Sequence, residues 1–310
     1  MASTTSQSTG FRSILAACDF SSEPDLPLRR ALAIARHYGA KFCVAHVAQR
    51  EGYSIGCAGA VRSALDTARR DSEQLNQELL QSGALAGLHY EFIVREGDTW
   101  EQWKQLIHEK QVDLFVTATD FTQTRDSGVP GTAAEQLFRD ADCAVLSVGP
   151  GSNLGSLTEQ DEGFDDLLYV TDFGAASLYA LPHAVSLTNM MGARLTLLHV
   201  LPAVPVGEAV RLSVAPEDMT QMQEDARLAS FRRLEELTSS QATLAVRPDF
   251  IVTFGSVGQQ ILRVAELRKV DVIIMGLNRV TRVETGASLP WATAYEVMNG
   301  ANCPVLTIRS

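Results

Sequence analysis

The sequence has no apolar run near the ~20 residues that a membrane-spanning helix needs, and its 26 Lys and Arg residues are scattered. Nucleic acids and anionic membranes attract clustered cations that displace counterions, so the net charge of −11 disfavours both kinds of partner. With 45% apolar and 20% charged residues, the composition is that of a soluble globular protein.

Cysteines are few and do not suggest a disulfide framework. Their number is odd, no C-x-x-C pair occurs, and most lie within apolar runs: Cys18, Cys43, Cys57, Cys143 and Cys303. Residues 1–10 are rich in Ser and Thr and have neither the basic start nor the apolar core of a secretory signal. We therefore expect a cytoplasmic protein with buried free thiols.

Catalytic motifs are also missing from the sequence. It contains no G-x-S-x-G, H-E-x-x-H, Walker A or G-x-G-x-x-G pattern. Its histidines have no acids or cysteines at metal-ligand spacing. We therefore predict no catalytic residue and no metal ligand, and we do not expect an enzyme.

The sequence contains an internal repeat. Residues 11–20 match residues 164–173 at an offset of 153. The offset is 158 for the pairs Gly97 with Gly255 and Asp113 with Asp271, and 160 for Cys143 with Cys303. A match that keeps its order indicates two copies of one unit. We predict a first domain at 1–150, a second at 161–310, and a Gly/Ser/Pro-rich linker at about 149–160.

Each copy alternates predicted strands and helices. In the first copy, short apolar runs at residues 14–18, 42–47, 90–94, 112–118 and 144–148 are typical of strands covered on both faces. Apolar residues recur at helical spacing between these runs. This order predicts an α/β fold, a five-stranded parallel sheet with helices on both faces. Such sheets bind ligands at the carboxyl ends of their strands, beside the point where strand order reverses.

The residues after the fourth strand resemble the universal stress protein family. That family has Gly, two residues, Gly, nine residues and then Gly-Ser/Thr at this place. The first copy keeps this spacing as Ala118, Phe121 and Gly131-Thr132, but lacks the first two glycines. The second copy keeps Gly276, has Arg279 at the second glycine position, and has Trp291-Ala292 in place of Gly-Thr. Cys303-Pro-Val-Leu also fits the family.

The resemblance implies two tandem Rossmann-like domains of the adenine nucleotide alpha hydrolase-like class. It also implies a cofactor, ATP or another adenine nucleotide with Mg²⁺, although the degenerate glycine motif leaves open that there is none. By resemblance, the acid ending the first strand contacts adenine or ribose, the valine at the end of the second strand lies against the base, and the remaining positions line the phosphates. The residues concerned are Asp19, Val47, Ala118, Gly131 and Thr132 in the first copy, and Asp172, Val200, Gly276 and Arg279 in the second.

Most of these residues also have a purely structural interpretation. Thr132 and Glu135 form a capping box, which explains them by helix initiation alone. Asp19 can cap a helix beginning near Ser21. In the second copy, Ser288 and Pro290 are helix start signals, so that Trp291 is a core or interface aromatic. His46 and His199 are interpreted as ordinary strand-end residues.

Three functions remain open from the sequence. The first is a non-enzymatic stress-response protein with a weak nucleotide site in its first domain. The second is an interaction scaffold whose two domains pack on each other as a pseudo-dimer, with an unknown protein partner or a second copy of the chain. The third and least favoured is an enzyme acting on the nucleotide α-phosphate. Residues 202–223 form a divergent insertion in which a partner site could lie.

Overall fold

The structure is a computed structural model that describes residues 9–18, 26–49, 58–118, 141–149, 152, 163–203, 216–239, 244–278 and 290–310. At residues 49, 58–64, 216, 290 and 291 it describes the backbone alone. Nearly all of the predicted linker and of the predicted N-terminal tail lies outside these ranges. The chain divides into two compact units whose main boundary lies between Gly163 and Phe164.

The first unit alternates strands and helices as the sequence predicts. Its sheet is parallel, with strand order β3-β2-β1-β4-β5. Its elements are β1 (Ser13–Ala17), α1 (Leu26–Tyr38), β2 (Lys41–Gln49), α2 (Ala58–Gln81), β3 (His89–Gly97), α3 (Thr99–Glu109), β4 (Leu114–Ala118) and β5 (Ala144–Val148).

The second unit repeats this arrangement. Its strand order is β8-β7-β6-β9-β10, with β6 parallel to both β7 and β9. Its elements are β6 (Asp166–Val170), α4 (Ala175–Met191), β7 (Arg194–Leu201), α5 (Pro216–Ser239), β8 (Asp249–Phe254), α6 (Val257–Arg268), β9 (Val272–Leu277), α7 (Pro290–Gly300) and β10 (Val305–Arg309). The predicted fold class is confirmed, with two repeats of a parallel sheet and helices.

The central strands form the core of each unit. In the first unit, Ile14 and Leu15 of β1 and Leu114 of β4 are fully buried. In the second unit, Leu168 of β6 and Ile273 of β9 are equally buried. Strands of continuous apolar residues are stable only where both faces are covered, so these buried runs explain why the sequence lacks in/out alternation.

Two of the repeated glycine positions end equivalent helices. Gly39 follows α1 with φ of 62°, and Gly192 follows α4 with φ of 68°. After each glycine, a backbone N–H returns to the last helical turn, from Ala40 to Ala35 and from Ala193 to Thr188. Glycine adopts this left-handed conformation without strain, and the repeated pair therefore marks a helix end.

A second repeated pair joins the amino ends of the central strands. The carboxylate of Asp113, just before β4, accepts hydrogen bonds from the backbone N–H groups of Arg12 and Ser13 at 2.8 and 3.0 Å. The carboxylate of Asp271, just before β9, accepts from Asp165 and Asp166 at 2.8 and 2.9 Å. We call this arrangement the aspartate clasp, and it explains why Asp113 and Asp271 match in the repeat.

The cysteines in the described part of the chain are buried and outside any disulfide bond, as predicted: Cys18, Cys43, Cys143 and Cys303. Burial raises the pKa of Cys43, Cys143 and Cys303 to about 12, so these three remain protonated at neutral pH. Cys57 lies outside the described residues.

Among the described helices, none is long and apolar enough to cross a membrane.

Candidate functional site

Strand order reverses beside β1 in the first unit and beside β6 in the second, so a ligand crevice is expected where these strands end. In the second unit, Val170 of β6 is level with Leu198 of β7 and Met275 of β9. The residues that follow on each strand therefore share one edge of the sheet. This register brings together three of the predicted site residues, Asp172, Val200 and Gly276. Arg279 lies outside the described residues.

Asp172 is engaged by its own chain. Its Oδ1 accepts hydrogen bonds from the Gly174 N–H at 2.8 Å and from the Ser177 hydroxyl at 2.7 Å, immediately before and within the first turn of α4. Burial acts to raise the pKa of Asp172, but these hydrogen bonds outweigh it and hold the pKa below its usual value. The carboxylate therefore holds the turn that leads into α4, whose N-cap residue is Gly174.

Phe173 follows Asp172 and lies in an unusual conformation. Its φ of 60° is in the left-handed region, which bulky residues rarely adopt. Its ring is nonetheless only 8% exposed. The ring centroid lies 4.4 Å from that of His199, and the guanidinium carbon of Arg233 in α5 lies 4.3 Å from the same Phe173 centroid. A side chain of this chain thus occupies the carboxyl edge of the second unit.

The two repeated histidines have the same structural role. Nδ1 of His199 lies 2.8 Å from the carbonyl oxygen of Thr171, and Nδ1 of His46 lies 3.0 Å from that of Cys18. A carbonyl oxygen only accepts hydrogen bonds, so Nδ1 carries the proton in both rings. Each histidine therefore joins the end of the second strand of its unit to the residue that follows the first strand.

Gly276 is glycine for a packing reason. A Cβ at this position would lie 2.1 Å from the carbonyl oxygen of Ala176 and 2.6 Å from the Cα of Ser177. The first turn of α4 thus lies directly on β9, and helix packing accounts for the retained glycine without any phosphate. In the first unit the equivalent residue is Ala118, the exposed last residue of β4.

The described part of the first unit contains two predicted site residues. Val47 lies near the end of β2 and is 8% exposed, and Ala118 ends β4. Val47 is thus placed like Val200, which is 9% exposed at the equivalent point of β7. The other first-copy residues of the prediction, Asp19, Gly131 and Thr132, lie outside the described residues, as do Phe121 and the capping box.

The start of α7 agrees with the sequence interpretation, since Pro290 is the first residue of this helix. The side chain of Trp291 lies outside the described residues, so its predicted packing stays a prediction. Of the 202–223 insertion, residues 216–223 form the first turns of α5, and several of them line an open cavity of about 550 Å³ that reaches Phe254.

Sequence reasoning missed several residues that shape this edge. Thr171 accepts the Phe173 N–H at 2.9 Å and donates to the Ser177 hydroxyl at 3.1 Å. The phenol of the fully buried Tyr169 donates to the carbonyl oxygen of Ser177. The pair Asp172-Phe173 was visible in the repeat as the match of Asp19-Phe20, but nothing in the sequence links Phe173 with Arg233. No three His, Cys, Asp or Glu side chains among the described residues could hold a metal ion.

A comparison with protein-family models matches the universal stress protein family over residues 10–149 and again over residues 163–309. The chain belongs to the universal stress protein family. Each match covers one copy of the repeat, so the protein is a tandem member. A search of curated proteins finds no match.

Two solved structures resemble this universal stress protein along nearly its whole length. One is a universal stress protein from Archaeoglobus fulgidus, with TM-score 0.63, 17% identity, and coverage of 98% of this chain and 99% of that chain. The other is a functionally unknown protein from Pseudomonas aeruginosa, with TM-score 0.61, 18% identity, and coverage of 97% and 93%. At these identities the likeness concerns the fold.

Proposed function

We propose that this universal stress protein is a non-enzymatic, cytoplasmic stress-response protein whose first domain binds an adenine nucleotide weakly and whose second domain does not. The observation that carries this proposal is the contrast between the two carboxyl edges. In the second unit, Asp172 is hydrogen-bonded to the Gly174 N–H before α4, the Phe173 ring contacts the His199 ring, and the first turn of α4 lies against Gly276. These contacts engage, within the chain, the second-unit residues that the family pattern assigns to a nucleotide, and this supports the proposal.

The described edge of the first domain differs from that of the second at Ala118, whereas Asp19 and Phe20, which match Asp172 and Phe173, lie outside the described residues. Ala118 is small and exposed, and Val47 provides an apolar wall at the end of β2. The sequence adds Asp19 as an acceptor for a sugar or an exocyclic amine, and Gly131-Thr132 as backbone donors at a helix start. When bound, the nucleotide would supply a conformational signal rather than a reaction, and these residues would orient it.

Isothermal titration with ATP and Mg²⁺ tests this proposal at about 100 µM protein, a concentration suited to micromolar dissociation constants. We expect a single site whose heat is lost in Asp19→Ala and retained in the matched second-domain variant Asp172→Ala. Absence of heat for the wild type would overturn the proposal. So would heat that depends on Asp172 and not on Asp19.

One observation favours the scaffold as a second candidate. Helix α4 carries no Asp, Glu, Lys or Arg, although the chain is acidic, and it exposes Leu178, Tyr179 and Met190 at 39%, 46% and 40%. A helix that is apolar on all sides is usually covered. If the protein is only a scaffold, no nucleotide should raise its melting temperature, whereas a ligand at a hundredfold excess over its dissociation constant stabilises by about 2.7 kcal/mol.

A further inference from the structure

Each unit has an outermost strand that pairs with only one other described strand. In the first unit this strand is β3, which pairs with β2, and in the second unit it is β8, which pairs with β7. The two strands match in the repeat, because Val94 of β3 lies opposite His46 and Val252 of β8 lies opposite His199. An edge strand presents backbone N–H and C=O groups to which a strand of another chain can pair. The side chains along the edge decide whether such pairing is favourable.

The edge formed by β3 is protected by charge. Glu91, Arg95 and Glu96 lie within this strand. Glu91 forms an ion pair with Lys110 at 2.6 Å, and Arg95 forms one with Glu109 at 2.7 Å. A strand that covered this edge would remove water from these charges, which is costly. Charged side chains of this kind are a common protection of edge strands against pairing with another chain.

The edge formed by β8 lacks this protection. Its one charged residue, Asp249, begins the strand and forms an ion pair with Arg268 at 3.1 Å. The residues that follow, Phe250–Phe254, are aromatic, β-branched and uncharged, and each is partly exposed. Val246 shortly before the strand and Val257 shortly after it are 45% and 41% exposed. We call residues 250–254 with these two valines the β8 edge.

The β8 edge is complementary to a second copy of itself. Antiparallel pairing centred on Val252 would place Phe250 opposite Phe254 of the second copy and Ile251 opposite Thr253. Aromatic pairs and pairs of β-branched residues stabilise neighbouring strands. The charged first residue of the strand would then face a glycine, so no like charges are opposed. Because each chain carries a net charge of −11, two copies repel each other, and an uncharged surface is where they can meet at least cost.

We propose that the β8 edge is a homodimer interface, at which a second copy of this chain adds its own β8 in antiparallel orientation. Main-chain hydrogen bonds between the two strands would supply affinity, and the paired side chains would fix the register. The inference goes beyond the proposed function and does not rest on nucleotide binding. The charged edge of β3 does not take part.

The test measures the dimer of the full-length protein by sedimentation equilibrium at about 1–100 µM, a range suited to micromolar dissociation constants. Val252→Lys places two like charges opposite each other at the centre of the pairing. Val94→Lys places the same charge at the matched position of β3 and is the control. Circular dichroism and melting temperature verify that each variant is folded. Hydrogen exchange of the wild type at both ends of the concentration range follows β8 and β3 without any substitution.

We expect the wild type to dimerise, with slower exchange in β8 at high concentration and unchanged exchange in β3. Val252→Lys should raise the dissociation constant of the dimer at least about tenfold, because like charges then face each other, and Val94→Lys should leave it unchanged. An equimolar mixture of Val252→Lys and Val252→Glu should restore a dimer, because opposite charges then meet.

A wild type that stays monomeric over the whole range would overturn the inference. So would a dimer that gives β8 no added protection, a folded Val252→Lys variant that dimerises like the wild type, or an equal loss in Val94→Lys. If the lysine variant at 252 does not fold, the exchange measurement on the wild type decides alone. Nucleotide is absent from these experiments, so failure of the first-domain site would leave their outcome unchanged.

Discussion

The two units share a framework and differ in what fills its edge. Both keep the aspartate clasp at the amino ends of the central strands. Near the carboxyl ends, both keep the hydrogen bond between a histidine Nδ1 and the carbonyl oxygen of the residue that follows the first strand. Where the first unit has Ala16 and Ala118, the second has Tyr169 and Gly276. The interactions that hold the strands were thus retained after duplication, while the side chains around the ligand crevice diverged.

Tyr169 provides the sharpest test of this difference, because it is fully buried where the first unit has a buried alanine. Tyr169→Ala should destabilise the second unit by about 3–5 kcal/mol through the cavity it creates. Tyr169→Phe keeps the ring, loses only the bond to the Ser177 carbonyl, and should cost about 1 kcal/mol. Hydrogen exchange followed by mass spectrometry assigns the loss to β6 and its neighbours. If the two variants lose the same stability, the volume of the side chain at this position is not what distinguishes the units.

Gly276 and Ala118 offer a reciprocal exchange. Gly276→Ala should destabilise by up to about 3 kcal/mol, since the new Cβ meets the backbone of Ala176 and α4 must shift away from β9. Ala118→Gly should cost under about 1 kcal/mol because Ala118 is exposed at a strand end. Urea unfolding monitored by hydrogen exchange measures the free energy of unfolding of both variants. A harmless Gly276→Ala would contradict the packing explanation of this glycine.

Loss of the aspartate clasp should destabilise the two units to the same extent. Asp113→Ala and Asp271→Ala each remove an acceptor of two backbone N–H groups, and each should cost about 1–3 kcal/mol in its own unit. Asparagine at either position retains one oxygen acceptor and should recover part of the loss. Exchange rates of peptides from β1 and β6 report the two units separately. A large loss in one unit only would break the equivalence that the repeat predicts.

The smallest expected effect concerns Asp172 and pH. Its pKa is lower in the folded protein, so its stabilisation is complete above the ordinary aspartate pKa of about 3.9 and is lost as pH falls through the folded value. Asp172→Asn should therefore cost up to about 1 kcal/mol at pH 7, limited by the exposure of the carboxylate, and nothing at strongly acidic pH. Melting temperatures of wild type and variant against pH measure this.

Asp19→Asn is the matched variant for the same titration. If Asp19 holds the turn before its helix as Asp172 does, its variant should give the same pH-dependent loss of stability in the absence of nucleotide. If Asp19 is instead free to bind a ligand, the variant should leave the stability of the unliganded protein unchanged and weaken ATP binding. A pH-independent loss of stability for Asp172→Asn would contradict the role of the ionised carboxylate in the turn before α4.

Much of the fold was predictable because its signals are local. Continuous apolar runs located the strands, and helical spacing located α1 and α2 around residues 28–38 and 65–79. The start of α7 at Pro290 followed from the chemistry of proline. The repeat then transferred every first-unit assignment to the second unit. The edge of the sheet at which to look for a site followed from strand order alone.

The site itself was only partly predictable. The register confirms that Asp172, Val200 and Gly276 share one edge, as the family pattern implies. Their contacts did not follow from that pattern. Gly276 resembles a phosphate-loop glycine in sequence, yet Ala176 is 100 residues away along the chain and lies directly against it. The predicted role of Asp172 toward a base or sugar stays a prediction beside its observed hydrogen bonds to the Gly174 N–H and the Ser177 hydroxyl.

The sequence by itself determined the duplication, the α/β class and the family, because each depends on patterns repeated over short stretches of chain. Only the tertiary structure decided what lies at the carboxyl edge of the second unit, where Phe173 meets Arg233 from a helix 60 residues further along the chain. That contact depends on the left-handed backbone conformation of Phe173, with φ of 60°, and on where helix α5 packs. Neither leaves a periodic signal in the sequence.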